Sequence, residues 1–215
     1  MSLKTSASSG GNYPITPEGV YTARCFKIID LGTQWVEWAG DKKQQRKVLI
    51  MWELLDKDVR MEDGRPWAAT KKYTNSLDER GRLRPDLEAW RGKKFTEDEL
   101  AEFDLMNVLG AYCTIQIVHS EDGKFANVNS IMSYKGEKPE PVNPDIAFDI
   151  DEPDMQIFDT FSDRMKEQIE ASSEWQARLV RQDRESRAAK TTPIVEDNVI
   201  TNIGDETVNL DDIPF

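Results

Sequence analysis

The chain has 215 residues, enough for one ordinary domain with appendages. Hydrophobic residues make up 38% and include six Trp and eight Phe, so part of it can build a core; 32% charged residues implies long solvated stretches beside it. No run approaches the roughly 18 apolar residues of a membrane span, and MSLKTSASSGG lacks the apolar centre of a signal peptide, so a soluble chain in a reducing cytoplasm is expected.

The net charge of -12 argues at first against a nucleic-acid partner, because phosphate binding rests on Lys and Arg displacing counterions. Its distribution removes that objection. Residues 1–142 hold 21 of the 28 basic and 22 of the 40 acidic residues, whereas residues 143–215 hold the other seven basic and 18 acidic ones. From Thr191 onward there are six acids and no Lys or Arg, so the acid belongs to a tail and not to the body.

Residues 1–12, rich in Ser, Gly and Thr, read as a flexible arm. Residues 19–30 (GVYTARCFKIID) are β-branched and aromatic with partial alternation, a first strand. Residues 47–55 (KVLIMWELL) are apolar on both parities, a strand buried on both faces or a buried helix; neighbouring turn signals favour the strand. Asp63-Gly64 marks a turn before a third strand over 67–75. Pro85 suits a first helical turn, and Thr96 with Glu99 forms a capping box opening a short helix through Phe103, with Gly110 ending the next turn.

Residues 111–119 alternate cleanly as a fourth strand, Asp122-Gly123 signals a hairpin, and residues 125–134 form its partner. Cys25 and Cys113 sit inside such apolar runs and read as buried thiols, and Trp52 reads as core. The fold class predicted is mainly β with helical additions: a five-stranded OB-fold Greek-key barrel over residues 13–136, with a helical connection between strands three and four, an element order that several other small α+β domains share. Prolines and charge make 137–153 a linker. Residues 154–190 form one or two helices whose stripe Ile157, Phe158, Phe161, Met165 and Ile169 packs on the parent domain or on a second subunit. Residues 191–215 read as a disordered acidic tail.

The last five residues, DDIPF, resemble the C-terminal tip of bacterial single-stranded DNA-binding proteins. Phe215 offers a ring and a carboxylate, Ile213 and Pro214 apolar contact with little entropy to lose, and Asp211 and Asp212 a match to a basic pocket rim. The alternative is a solubilising tail that ends in Phe by chance. The segments VYTARCFKIIDLGTQ, QRKVLIMWELL, KKYTNSL and DLEAWRGKKFTEDEL resemble a family of bacteriophage proteins taken to be single-stranded DNA-binding replication proteins. That resemblance covers roughly residues 13–180 and implies an OB-fold coating single strands in replication, recombination and repair, with a tip recruiting partner proteins. The longer connection between strands three and four and the added helices depart from the bacterial proteins, which puts their tetramer in doubt.

A single strand needs cations for phosphates and aromatic faces for bases. The stretch GTQWVEWAGDKKQQRK, read as a loop, interleaves Trp35 and Trp38 with Lys42, Lys43, Arg46 and Lys47; either Trp could instead fold back as a lid on the barrel. Lys71 and Tyr73 share a strand face, with Lys72 on the other, and Lys124 and Phe125 add to the opposite wall. Arg80, Arg82 and Arg84 read as a solvated turn, and His119 as a strand-end residue. No cofactor is expected, nor catalysis: the acids follow no metal-binding spacing and no Gly-rich phosphate loop is present. An adaptor that binds proteins without DNA is the competing reading, and would bury Trp35, Trp38 and Tyr73. A strand-annealing protein is a close variant of the main one. If the tail competes with DNA for the basic face, deleting residues 191–215 raises affinity for oligo-dT, most strongly at low ionic strength, in a filter-binding titration.

Overall fold

The computed structural model describes residues 14–38 and 40–191. Six strands, β1 (Gly19–Trp38), β2 (Asp41–Leu54), β3 (Ala68–Thr74), β4 (Tyr112–His119), β5 (Ala126–Ser133) and β6 (Ile146–Phe148), form one sheet. The helices are α1 (Leu83–Arg91), α2 (Glu97–Ala101), α3 (Met155–Asp159), α4 (Asp163–Glu170) and α5 (Ser173–Thr191), with a 3-10 turn at Leu105–Val108. One compact unit ends at Leu179 and a second begins at Val180, within α5. No helix among the described residues is long and apolar enough to cross a membrane.

The fold is mainly β with helical additions, built on an antiparallel sheet of order β3-β2-β1-β4-β5, with β6 pairing β1 in parallel. The sheet is open: no ladder joins β3 to β5, although their backbones come within 8 Å.

The largest departure from the sequence reading concerns residues 32–47, which are not a loop. β1 and β2 stay paired from Ala23↔Leu54 to Trp38↔Asp41, with Gly40 turning at φ +87°. These residues are polar because the ribbon runs out past both cores, and polarity alone does not separate a two-sided solvated ribbon from a loop. Two bulges, at Phe26 and at Leu31, interrupt the ladder and explain the partial alternation of β1. Ala23, Cys25 and Ile28 face one core while Ile29 and Leu31 face another.

The first core gathers Tyr21, Val48, Ile50, Trp52, Leu54, Ile115, Ile117 and Ile131, closed by Leu83, Leu87 and Trp90 of α1. Trp52 is fully buried, 5.7 Å from the ring of Trp90. The second core lies on the opposite face. There Phe158, Phe161, Ile169 and Trp175 cover Ile29 and Leu31, with Leu49 and Met51 packed against them. Phe158 and Trp175 stack at 4.5 Å. The double burial of β2 thus accounts for its apolar residues on both parities, and the helical stripe packs on its own sheet.

The segment expected to form one or two helices forms three. Ser172 sits at the last break, its hydroxyl donating to Ile169 O and accepting from Trp175 N. A Cβ on Gly32, whose φ is +68°, would lie 2.6 Å from Ile150 Cδ1 and Ser172 Cβ, so only glycine fits where β1 passes beneath this corner. The Thr96/Glu99 capping box is formed in both directions, and its helix ends at Ala101.

Residues 137–153, read as a linker, are tied to the sheet. β6 pairs Lys27↔Ile146, Ile28↔Ala147 and Ile29↔Phe148, taking over the edge of β1 that β4 leaves at Arg24. Beside it a buried polar network forms. Glu53, with no exposed surface, accepts from Arg24 Nη1 (2.9 Å), Asn143 N (2.8 Å) and Asn143 Nδ2 (2.7 Å), and Arg24 also pairs with Asp145. Contacts of Asn143 and Asp145 to the buried Arg24 and Glu53 hold this proline-containing crossing on the sheet. Removing one partner of a buried pair strands the other, a cost of about 3–5 kcal/mol. Glu53→Ala is therefore expected to lower unfolding free energy by about 3 kcal/mol in urea titrations, with β6 losing amide-exchange protection first.

Candidate nucleic-acid interface

The ladder sorts the side chains of the ribbon. Cross-strand partners share a face, so Trp35↔Gln44 and Glu37↔Lys42 lie on one side, and Gln34↔Gln45, Val36↔Lys43 and Gly32↔Lys47 on the other. β3 extends the second side through Lys47↔Thr74 and Leu49↔Lys72. Lys43, Lys47 and Lys72 therefore converge on one surface, with Trp35 on the reverse of the ribbon.

Lys47 Nζ donates to Gln45 Oε1 at 2.6 Å and Thr74 Oγ1 at 2.9 Å, and Lys72 Nζ donates to Gln168 Oε1 of α4 at 2.9 Å. All three acceptors are neutral. Burial, followed by the charges of Lys72 and Lys43, pushes the Lys47 ammonium below the usual lysine range. Lys72 is pushed down by burial and by Arg164 of α4. Among the described residues none of these four cations forms an ion pair with a carboxylate. Next to them Lys43, Gln45, Thr74, Ser76, Asp78, Arg80 and Gly81 line a recess of about 450 Å³. Arg80 already holds Asp78 through bonds of 3.0 and 2.9 Å, and its guanidinium is the main cause that lowers the Asp78 carboxyl to about 2.

Other sequence-predicted residues stand elsewhere. Tyr73 is only 3% exposed and is no stacking platform; its hydroxyl donates to Asp86 Oδ2 at 2.9 Å. Burial and the Asp86 charge push its pKa up. Lys71 does share that face, its Nζ 5.4 Å from the Tyr73 ring, but it is spent on the same Asp86 oxygen at 2.7 Å. The pair points inward because β3 packs its Tyr73 face against the first core. Arg46 bridges Asp30 and, at 2.7 Å, Asp151, and the bond to Asp30 raises its pKa. It fastens the ribbon to the segment after β6.

Lys42 faces Glu37 at 3.7 Å near the ribbon end. Trp35 is 68% exposed. The side chain of Trp38 lies outside the described residues, as do Asp211, Asp212, Ile213, Pro214, Phe215 and the rest of 192–215. Lys124 pairs with Asp122 at 3.4 Å and Phe125 is exposed; no hydrogen bond or ion pair links either to the lysines of β2 and β3. Arg80 and Arg82 are exposed, as a solvated turn requires, while Arg84 lies half-buried between Glu79 and Glu88.

His119 ends β4, its Nε2 2.9 Å from Thr16 O. Cys25 and Cys113 are buried free thiols, and burial pushes Cys25 up to about 12. Among the described residues no group of three His, Cys, Asp or Glu could hold a metal ion.

Gln45, Thr74, Arg164 and Gln168 were not identified from sequence. Their signal is register: alternate polar positions of β2 and β3 matter only once the ladder shows which lysines they flank, and α4 joins them only through the second core. Comparison with family models, curated proteins and solved structures finds no match to this chain.

The lowered lysines have a sign that can be checked. In the folded state Lys47 and Lys72 bind protons less tightly than in the unfolded chain, so their charging lowers stability at neutral pH, and this penalty lifts as pH rises from their lowered values towards about 10.4. A bound polyanion relieves the same repulsion. Tripolyphosphate is expected to raise Tm at neutral pH and to lose that effect as the lysines deprotonate, in melts run across the two conditions; Lys47→Gln with Lys72→Gln abolishes the increment.

Proposed function

We propose that this chain binds single-stranded DNA without reading its sequence, in phage DNA replication, recombination and repair, and that it does so without catalysis. The observation that carries the reading is the convergence of Lys43, Lys47, Lys72 and Arg164 without an ion pair to a carboxylate among the described residues, Lys47 and Lys72 donating to neutral acceptors. Cations held together against their mutual repulsion form a site for an anion, and a row of them suits a phosphate backbone.

Trp35 on the reverse of the ribbon supplies a face on which bases stack, so the strand passes around the ribbon edge, with its phosphates to the lysines and its bases towards Trp35. The finer fold assignment supports this. The neighbour order β3-β2-β1-β4-β5, with β3 and β5 within 8 Å, suits an OB-type barrel, whose second and third strands carry the binding face. Partner proteins of the replication machinery are recruited through Asp211, Asp212, Ile213, Pro214 and Phe215, in the cytoplasm of the bacterial host. An adaptor without DNA contact expects its rings buried; Tyr73 meets that expectation and Trp35 does not.

Tryptophan fluorescence titrated with oligo-dT tests the proposal. Salt-sensitive quenching is expected. Replacing Lys43, Lys47 and Lys72 by Ala is expected to flatten the dependence of log K on log salt by about two, from roughly 0.7 per phosphate on a single strand. Trp35→Ala is expected to cost about 1–3 kcal/mol with the salt slope unchanged. A full-length chain showing neither quenching nor retention of oligo-dT at low salt sinks the DNA reading.

A further inference from the structure

α5 continues for about four turns past the residue that packs it. Among the described residues Trp175 is its last buried side chain, and the Arg178 guanidinium lies 5.3 Å from that ring. From Leu179 to Arg187 every residue is exposed, including the apolar Leu179 and Val180. A lone helix of about a dozen residues is marginal in water, because most helical stability comes from a buried face. Among the described side chains past Val180 there is no such face, and the exposed i,i+4 pair of Asp183 with Arg187, at 3.0 Å, contributes little.

This unpacked length is also where the acidic half of the chain keeps its cations. Residues 143–215 contain seven basic residues, and five of them follow one another at three-residue steps in α5: Arg178, Arg181, Arg184, Arg187 and Lys190. Two acids stand among them, Asp183 and Glu185, and Asp183 is already held by Arg187. Beyond Arg178, the four basic positions span about 14 Å of helix axis, one per roughly 4.5 Å. Three residues fall short of a full turn by about 60°, so these positions wind through about half the circumference instead of lining one side.

Spacing and winding select the occupant. A nucleic-acid strand carries one charge per about 3.4 Å when stacked as in a duplex, dense enough to meet each cation of the row. A duplex is too stiff to follow half the circumference of a helix about 10 Å across, whereas a single strand bends to it. The chain's own acidic tail is too sparse. Its acids come as three adjacent pairs, Glu196-Asp197, Asp205-Glu206 and Asp211-Asp212, standing roughly 26 and 17 Å apart along an extended chain, both longer than the row. We propose that α5 from Arg181 to Lys190 is a second phosphate-binding element, around which single-stranded nucleic acid winds and which that strand holds helical. The inference rests on the reading of this chain as a single-strand binder and adds a contact made by the unit that begins at Val180.

The test is amide exchange at residues 180–191 of the full chain, with and without oligo-dT, beside a salt titration of binding. Protection of these amides is expected to rise about tenfold with oligo-dT and to stay unchanged with a duplex of the same length. Replacing Arg181, Arg184 and Lys190 by Gln, a comparable helix former, is expected to weaken binding about tenfold at low salt. The same variant flattens the dependence of log K on log salt by about two, from roughly 0.7 per phosphate. Arg181→Lys with Arg184→Lys keeps the charge and is expected to bind as the parent does. A full chain that does not retain oligo-dT at low salt overturns both readings. Retention with the Gln variant indistinguishable from the parent, or with no added protection at 180–191, overturns this one alone, as does equal protection by the duplex. Protection already present in the free chain and lost on deleting residues 192–215 also overturns it, because the tail then covers the helix.

Discussion

The β1–β2 ladder is the constraint on which the rest of this molecule depends. One strand of 20 residues serves two hydrophobic cores and then leaves both, and it can do so because bulges at Phe26 and Leu31 reset which side chains face where. Ile28 and Ile50 fill the inner core while their neighbours Ile29 and Leu49 receive the C-terminal helices. Each large side chain buried there contributes about 1.5–3 kcal/mol, so the helices are held by Phe158, Phe161, Ile169 and Trp175 far more than by their own propensity.

The same ladder sets the polar chemistry. Arg24 and Glu53 are cross-strand partners in it, and their buried pair draws in Asn143 and Asp145, which positions β6. Arg46 repeats the device further along by joining Asp30 to Asp151. Where carboxylates face cations the charge is consumed in holding the fold. Where β2 and β3 present Lys47 and Lys72 to neutral glutamine and threonine it is left available. That contrast, more than the number of basic residues, distinguishes a candidate phosphate site from a structural salt bridge.

Elements whose signal is local were readable in advance: the capping box at Thr96, the hairpin at Asp122-Gly123, the buried parity of Trp52 and the amphipathic stripe from Ile157 to Ile169. The ribbon was not, because a polar stretch with alternating Trp, Gln and Lys has no buried face to betray a strand. That Tyr73 lies on the buried side of the sheet and not on a binding face was hidden for a related reason. Alternation shows that Lys71 and Tyr73 share a face, but only packing against the first core and Asp86 shows that the face is inward.

By itself the sequence determined the mainly β architecture, the division between a near-neutral body and an acidic tail, and which residues can be core, because periodicity, turn chemistry and charge are properties of neighbours along the chain. Only the tertiary structure decided which cations are free and which are paired, that residues 137–153 are tied to the sheet, and that α4 brings Arg164 and Gln168 to Lys72. Those outcomes depend on contacts between residues far apart in sequence. They follow from strand register and from the burial of one element against another, which no local pattern encodes.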